Sequence, residues 1–258
     1  MRANAVKEKL KRGELALGTM VFEFASPGLP AILGTTGADF AIYDMEHNGL
    51  SLESLRALMS WSRGVGPTPL TRVPAIDPQF IAHALDVGAL GVMVPNVETV
   101  EQARLVVDAM TYPPRGARGA AFGFAHDDFE RAADVGAHVA ALNERSLLIA
   151  QIESERGLDN VDEIARVDGI DVLWVGHFDL TLSMGIPGQF QERRFLEAME
   201  RVAAACARNG LVGGFNVDNI DGGRHWIGKG FRMIAFSADF RLMAGALKAG
   251  VDGLRGAG

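Results

Sequence analysis

The chain has 258 residues, 48% of them hydrophobic, enough for one large core or two small ones, with a formal charge of −7 and scattered basic residues. That balance excludes a phosphate-backbone partner, which needs a concentrated basic surface, and no apolar run nears the roughly 20 residues of a membrane span. The opening "MRANAVKEKLKRGE" has no apolar signal core behind it and Cys206 stands alone, so no internal disulfide is expected, and a reducing cytoplasm is.

Taken in order, short β-rich runs alternate with helical patterns. Strands are predicted at 16–22 ("ALGTMVF"), 39–45 ("DFAIYDM"), 69–73 ("PLTRV") and 91–95 ("GVMVP"), with helices at 51–62, 78–87 and 97–110. The second half keeps the rhythm, with strands at 146–153 ("SLLIAQIE"), 171–176 ("DVLWVG"), 211–216 ("LVGGFN") and 231–237 ("FRMIAFS"). Helical spacing occupies 158–167, 191–209 and 238–250. Several strands are almost continuously apolar, as strands buried on both faces of a parallel sheet are. Eight strand–helix units in this length predict an α/β protein, a (β/α)8 TIM barrel forming a single domain over 1–258. A doubly wound sheet, the alternative, opens on a glycine-rich phosphate turn after its first strand, and "FEFASPGLP" is not one. Residues 110–128, "MTYPPRGARGAAFGFAHDD", break the alternation and read as a long loop, expected near a substrate mouth.

In a parallel barrel, chemistry gathers at the C-terminal strand ends. The strand at 39–45 runs into Asp44, Glu46 and His47, and that at 69–73 carries Arg72. The strand at 146–153 ends in Gln151 and Glu153, and that at 171–176 runs into Gly176, His177, Phe178 and Asp179. Each has a bland reading. His47 suits a hydrogen-bonded surface group, Arg72 a structural ion pair, Glu153 a solvated loop edge, and Asp179 the cap of a short helix. Convergence on one rim favours chemistry. Glu153 and Asp179, on successive strand ends without cysteine or paired histidines, suit a hard divalent cation completed by water, a Lewis acid for an oxo group. A proton shared between the two carboxylates is the alternative.

The stretches "DFAIYDMEHNGLS", "TRVP", "VMVPNVET", "AQIESERGLDNVDEI" and "VGHFDLTLSMGIPG" resemble, in that order, the HpcH/HpaI family of metal-dependent class II pyruvate aldolases. The resemblance extends from about residue 15 to about residue 250. It implies reversible cleavage of a 4-hydroxy-2-oxo acid to an aldehyde and pyruvate or hydroxypyruvate. The reaction would pass through an enolate held on Mg²⁺, Mn²⁺ or Co²⁺. Glu153 and Asp179 would be the metal ligands, Arg72 would face the oxo group, and His47 paired with Asp44 would be the acid–base machinery. Gln151 would bind water beside the metal, and backbone N–H groups from Gly176 through Phe178 to Asp179 would receive the donor carboxylate. Glu46 is left to bind water or a neighbouring side chain. The resemblance further implies a homo-hexamer, a trimer of dimers with the C-terminal helix exchanged between subunits.

Two departures border the donor pocket. Many members carry "GP" where this chain has "GH" with His177, and glycine where it has Asn48. They leave pyruvate and hydroxypyruvate both open as donors. Oxaloacetate decarboxylation and acyl-CoA lyase chemistry are alternatives on the same scaffold, and a sugar-acid-binding protein is the non-enzymatic one. No Schiff-base lysine is expected: Lys7, Lys9 and Lys11 precede the first strand, and Lys229 and Lys248 lie away from strand mouths.

Overall fold

A computed structural model describes residues 1–256. Eight parallel strands close on themselves in sequence order. They are β1 (Ala16–Val21), β2 (Phe40–Asp44), β3 (Thr68–Arg72), β4 (Gly91–Val94), β5 (Leu147–Ile152), β6 (Val172–Val175), β7 (Val212–Val217) and β8 (Phe231–Ala238). The seam is β1, where Gly18 faces Phe40 of β2 on one side and Ala235 of β8 on the other. This is the (β/α)8 barrel that the sequence predicts. Helical spacing passes over the helices Val135–Arg145 and Ile220–Gly228, which bury one leucine and one tryptophan as their only large side chains.

Alternation along each strand separates two apolar layers. Phe40, Ile42, Leu70, Met93, Ile149 and Trp174 pack together inside the barrel, over Val6 and Leu10 of the helix Ala5–Lys11. Ala41, Tyr43, Val92, Val94, Leu148 and Ala150 belong to the layer shared with the surrounding helices. The interior is full. A Cβ on Gly18 would stand 2.3 Å from the Phe40 carbonyl oxygen, and one on Gly214 would stand 2.3 Å from the Trp174 ring.

Residues 110–128 do form a long irregular connection, broken by a 3-10 turn at Ala125–Asp127. Their expected place near a substrate mouth is corrected, for their own barrel, by their contacts. Arg2 donates its backbone N–H to Asp128 at 2.7 Å, Arg63 donates to the Ala125 carbonyl at 2.6 Å, and Arg145 donates to the His126 carbonyl. Arg2 also reaches the carbonyl of Gly88, just before β4, while Arg145 lies just before β5. The segment therefore lies under the barrel. The physical reason is topological: it leaves the end of the helix Val100–Met110, and a helix that runs back along the barrel ends where strands begin.

At the opposite end, the loop after β1 is tied to the C-terminal helix Asp239–Arg255. The buried Asp239 carboxylate accepts the backbone N–H groups of Phe22, Glu23 and Phe24 at 3.0, 3.0 and 2.8 Å. Three charge-assisted bonds close the β8–β1 seam at the mouth. Asp239→Asn should lower the unfolding free energy by about 1.5–3 kcal/mol, the worth of a hydrogen bond to a charged group. The measurement is a urea midpoint that falls at unchanged slope.

Candidate active site

The inward alternation continues past the last apolar layer. Phe40 and Ile42 lead to Asp44, Leu70 to Arg72, Leu147 and Ile149 to Gln151 and Glu153, and Trp174 to Gly176. Asp44 and Arg72 are register partners across β2 and β3, as Gln151 and Trp174 are across β5 and β6. A cavity of about 330 Å³ opens at this rim. It is lined by His47, Arg72, Gln151, Gly176, Phe178 and Asp179, joined by Phe22, His177, Asn216, Phe240 and Arg241. Asp44 and Glu153 are buried behind that lining.

Arg72 Nε donates to Asp44 Oδ1 at 2.5 Å, and its Nη1 lies 3.1 Å from Glu46 Oε2. The same Asp44 carboxylate accepts the backbone N–H groups of Glu46 at 3.2 Å and His47 at 2.9 Å. It thus turns the chain at the end of β2 and fixes the guanidinium at once. Removing one partner of such a buried pair costs about 3–5 kcal/mol. The pairing of Asp44 with the His47 imidazole, expected from the sequence, is not what the side chains do. His47 meets Asp44 through its backbone, its ring is half exposed, and its Nε2 lies 3.7 Å from Glu46 Oε2. Asp44 is already occupied by Arg72 and two N–H groups, so the carboxylate beside the imidazole is Glu46. Burial holds the Glu46 carboxyl above the usual range, against the pull of Arg72.

Glu153 is 4% exposed. Its Oε1 accepts the Asn96 backbone N–H at 2.7 Å, and its Oε2 accepts from Gln151 Nε2. Asn96 adopts a φ of 55°, a left-handed conformation that asparagine tolerates better than most residues. Gly176 provides the room, since a Cβ there would stand 2.4 Å from Glu153 Oε2. Burial pushes the Glu153 carboxyl up to about 7, and the charges of Glu46 and Asp179 push the same way. Asp179 lies in the first turn of the helix His177–Ser183, capped by Gly176, and its side chain makes no capping bond.

Among the described residues, no three His, Cys, Asp or Glu side chains gather around one metal position. Glu153 and Asp179 form a two-carboxylate set, which suits a hard cation that keeps most of its waters. Gln151 Oε1 and Glu46 Oε2 are buried without hydrogen-bond partners, and water around such a cation would satisfy them. The residues present fit the group.

His177 packs among Phe178, Phe190 and Phe215, with ring centroids 4.5, 5.1 and 5.1 Å away. Burial pushes its imidazole down to about 4, so the ring is neutral at pH 7. Sequence reasoning passed over Asn96, Asn216, Phe22, Phe240 and Arg241. The two asparagines carried a usable signal, a polar residue closing the apolar runs "GVMVP" and "LVGGF". The phenylalanines carried none, because nothing in a sequence separates a cavity wall from a core.

The HpcH/HpaI aldolase/citrate lyase family model matches residues 19–246. The chain is 35% identical over 211 residues to a hydroxypyruvate/pyruvate aldolase of Roseovarius nubinhibens, covering 82% of this chain and 81% of the relative. It is 32% identical over 252 residues to a 2-keto-3-deoxy-L-rhamnonate aldolase of Escherichia coli, covering 95% and 91%. Among solved structures, an HpcH/HpaI aldolase from Desulfitobacterium hafniense matches with a TM-score of 0.92 at 30% identity, over 97% and 96% of the two chains.

The buried Glu153 carboxyl sets a pH signature for cation-free protein. Its folded value is raised, so the associated stability is complete below the unfolded pKa and lost as the pH rises through about 7. In chelator, the native chain should melt progressively lower relative to Glu153→Gln as the pH climbs through that value. A difference between the two melting temperatures that stays flat would mean that Glu153 ionises as a solvated carboxylate does.

Proposed function

The chain belongs to the HpcH/HpaI aldolase/citrate lyase family and is a carbon–carbon lyase of the aldolase type, and from that premise we propose its reaction. It cleaves 4-hydroxy-2-oxo acids reversibly to pyruvate or hydroxypyruvate and an aldehyde. Glu153 and Asp179 hold a divalent cation, with Mg²⁺, Mn²⁺ and Co²⁺ all acceptable to an oxygen-rich site. The observation that carries the reading is the Asp44–Arg72 pair, set at one mouth with those two carboxylates.

When bound, the cation supplies Lewis-acid polarisation of the 2-oxo group. Arg72, locked by Asp44, presents a fixed guanidinium to the oxygen that gains charge as the enolate forms. A preorganised donor is worth most where charge develops. Asp44 is a positioning residue, since its oxygens are spent on Arg72 and the turn. His47 moves a proton at Nε2, with solvent on one side and Glu46 3.7 Å away on the other. Gln151 holds water next to Glu153, and the backbone N–H groups of Gly176, Phe178 and Asp179 receive the donor carboxylate. No helix of the described residues is long and apolar enough to cross a membrane, and a cytoplasmic setting accords with the unpaired, buried Cys206.

Exchange of pyruvate methyl protons with deuterated water isolates enolate formation. It should require a divalent metal, stop on chelation and return on re-addition. Arg72→Lys should slow it about 10²–10³-fold, as loss of one oxyanion donor does, because an ammonium does not reproduce the guanidinium fork. Full exchange in metal-free buffer would overturn the metal-dependent reading, and full exchange in Arg72→Lys would reduce the arginine to a structural part.

We also propose that the enzyme is a hexamer, a trimer of dimers that exchange the helix Asp239–Arg255. Asp239 is the one buried residue of that helix, while Leu242, Met243, Leu247 and Leu254 stand exposed. Their own barrel does not cover this apolar face, which fits a partner's. Sedimentation should give a hexamer for the intact chain and smaller species when Met243 and Leu247 are both replaced by glutamate. A monomer at micromolar concentration would sink the assembly.

A further inference from the structure

One wall of the mouth carries two hydrogen-bonding side chains that the chemistry above leaves unused. Asn216 follows Val212 and Gly214 on the inward face of β7 and lines the cavity. Among the described residues its amide has no hydrogen-bond partner, and its Oδ1 is buried. Register sets Val175 opposite Phe215, so Asn216 stands across from Gly176, next to His177. The His177 ring lines the same cavity, gripped by its three phenyl neighbours. Phe22, Phe178 and Phe240 make up apolar parts of the lining.

The charged groups of this mouth are committed elsewhere. Arg72 is held by Asp44 and Glu46, and Arg241 pairs with Asp218 at 3.0 Å. What remains on this wall is the Asn216 amide beside the His177 ring, in an apolar surround. A buried polar group without a partner is unfavourable, so it selects a ligand that completes it. An amide offers a carboxylate or phosphate no counter-charge. A hydroxyl asks for none, and because it both donates and accepts it matches the amide in either orientation.

We infer that Asn216, with His177 beside it, recognises a hydroxyl group on the substrate, so that the enzyme works on hydroxylated partners. The hydroxyl belongs either to a hydroxypyruvate-type donor or to a 2-hydroxyaldehyde acceptor. This rests on the aldolase reading and gives Asn216 a specificity-determining role within it. A site built to hydrogen-bond a hydroxyl rejects the analogue lacking it far more strongly than an apolar pocket rejects an added one.

The test compares kcat/KM for hydroxypyruvate and pyruvate with a fixed acceptor, and for glycolaldehyde and acetaldehyde with a fixed donor. Asn216→Leu keeps the side chain's size and removes its polarity. The ratio of hydroxylated to deoxy substrate should fall about tenfold or more in one pair, and the affected pair identifies which partner bears the hydroxyl. His177→Phe, which keeps a ring among the three phenylalanines, should lower the ratio in the same pair. Calorimetric binding of glycerate against lactate repeats the donor comparison without turnover. Ratios unchanged in both pairs and in calorimetry would overturn the inference. Native enzyme that exchanges no pyruvate protons with any divalent metal would instead overturn the aldolase reading.

Discussion

A strand shows successive side chains to opposite faces, and closing eight parallel strands into a barrel turns that period into a rule about the mouth. Every second residue points at the axis. Inside, those positions are filled by Phe40, Ile42, Leu70, Ile149 and Trp174. One step further along the same face they become Asp44, Arg72, Gln151, Glu153 and Gly176. The core and the site are therefore one pattern at two heights. The apolar layers fix the heights, and polar groups begin where packing runs out. Gly18 and Gly214 belong to the same constraint, because each yields its side-chain space to a large ring on the neighbouring strand.

The charge carried by that mouth explains much of its geometry. Asp44, Glu46, Glu153 and Asp179 converge there, and of the two arginines that line it Arg241 is taken by Asp218, leaving Arg72 to face them. Arg72 compensates Asp44 at hydrogen-bond distance and Glu46 less well, at 3.1 Å without a hydrogen bond. Glu153 has only neutral donors, Gln151 and the Asn96 N–H, and burial drives its carboxyl up to about 7. A site with more buried carboxylate than cation holds its own protons or binds a metal. The unpartnered oxygens of Gln151 and Glu46 favour the metal, since a proton on Glu153 would not satisfy them.

The sequence made the barrel legible because its strands are short apolar runs in regular alternation with helices. The rim residues were legible for the same reason: a run such as "DFAIYD" that ends in a carboxylate announces its end. What the sequence did not disclose was which carboxylate meets which base. Asp44, Glu46, His47 and Arg72 are all present in the strings "DMEH" and "TRV", but their partnering depends on register. Asp44 and Arg72 sit side by side across β2 and β3, so they take each other and leave Glu46 to the imidazole. The misplaced 110–128 loop has a similar cause. Its composition marks it as irregular, whereas its position follows from which elements it joins.

The mouth also divides its work by element. In the proposed reaction the acid–base, charge-stabilising and cation-holding groups come from β2, β3, β5 and the turn after β6. The remaining wall of the cavity comes from β7, the loop after β1 and the C-terminal helix. Phe240 of that helix meets Phe22 edge-on, with centroids 6.1 Å apart, and Phe22 lies 5.8 Å from the Arg72 guanidinium carbon. Asp239 holds the backbone on both sides of this contact, through Phe22 and through Phe240 itself. The helix that the proposed hexamer would exchange thus begins at the cavity wall, two contacts from the Arg72 guanidinium. In that hexamer, docking the helix would steady the aromatic pair over Arg72 and would so link assembly to the shape of the pocket through Asp239.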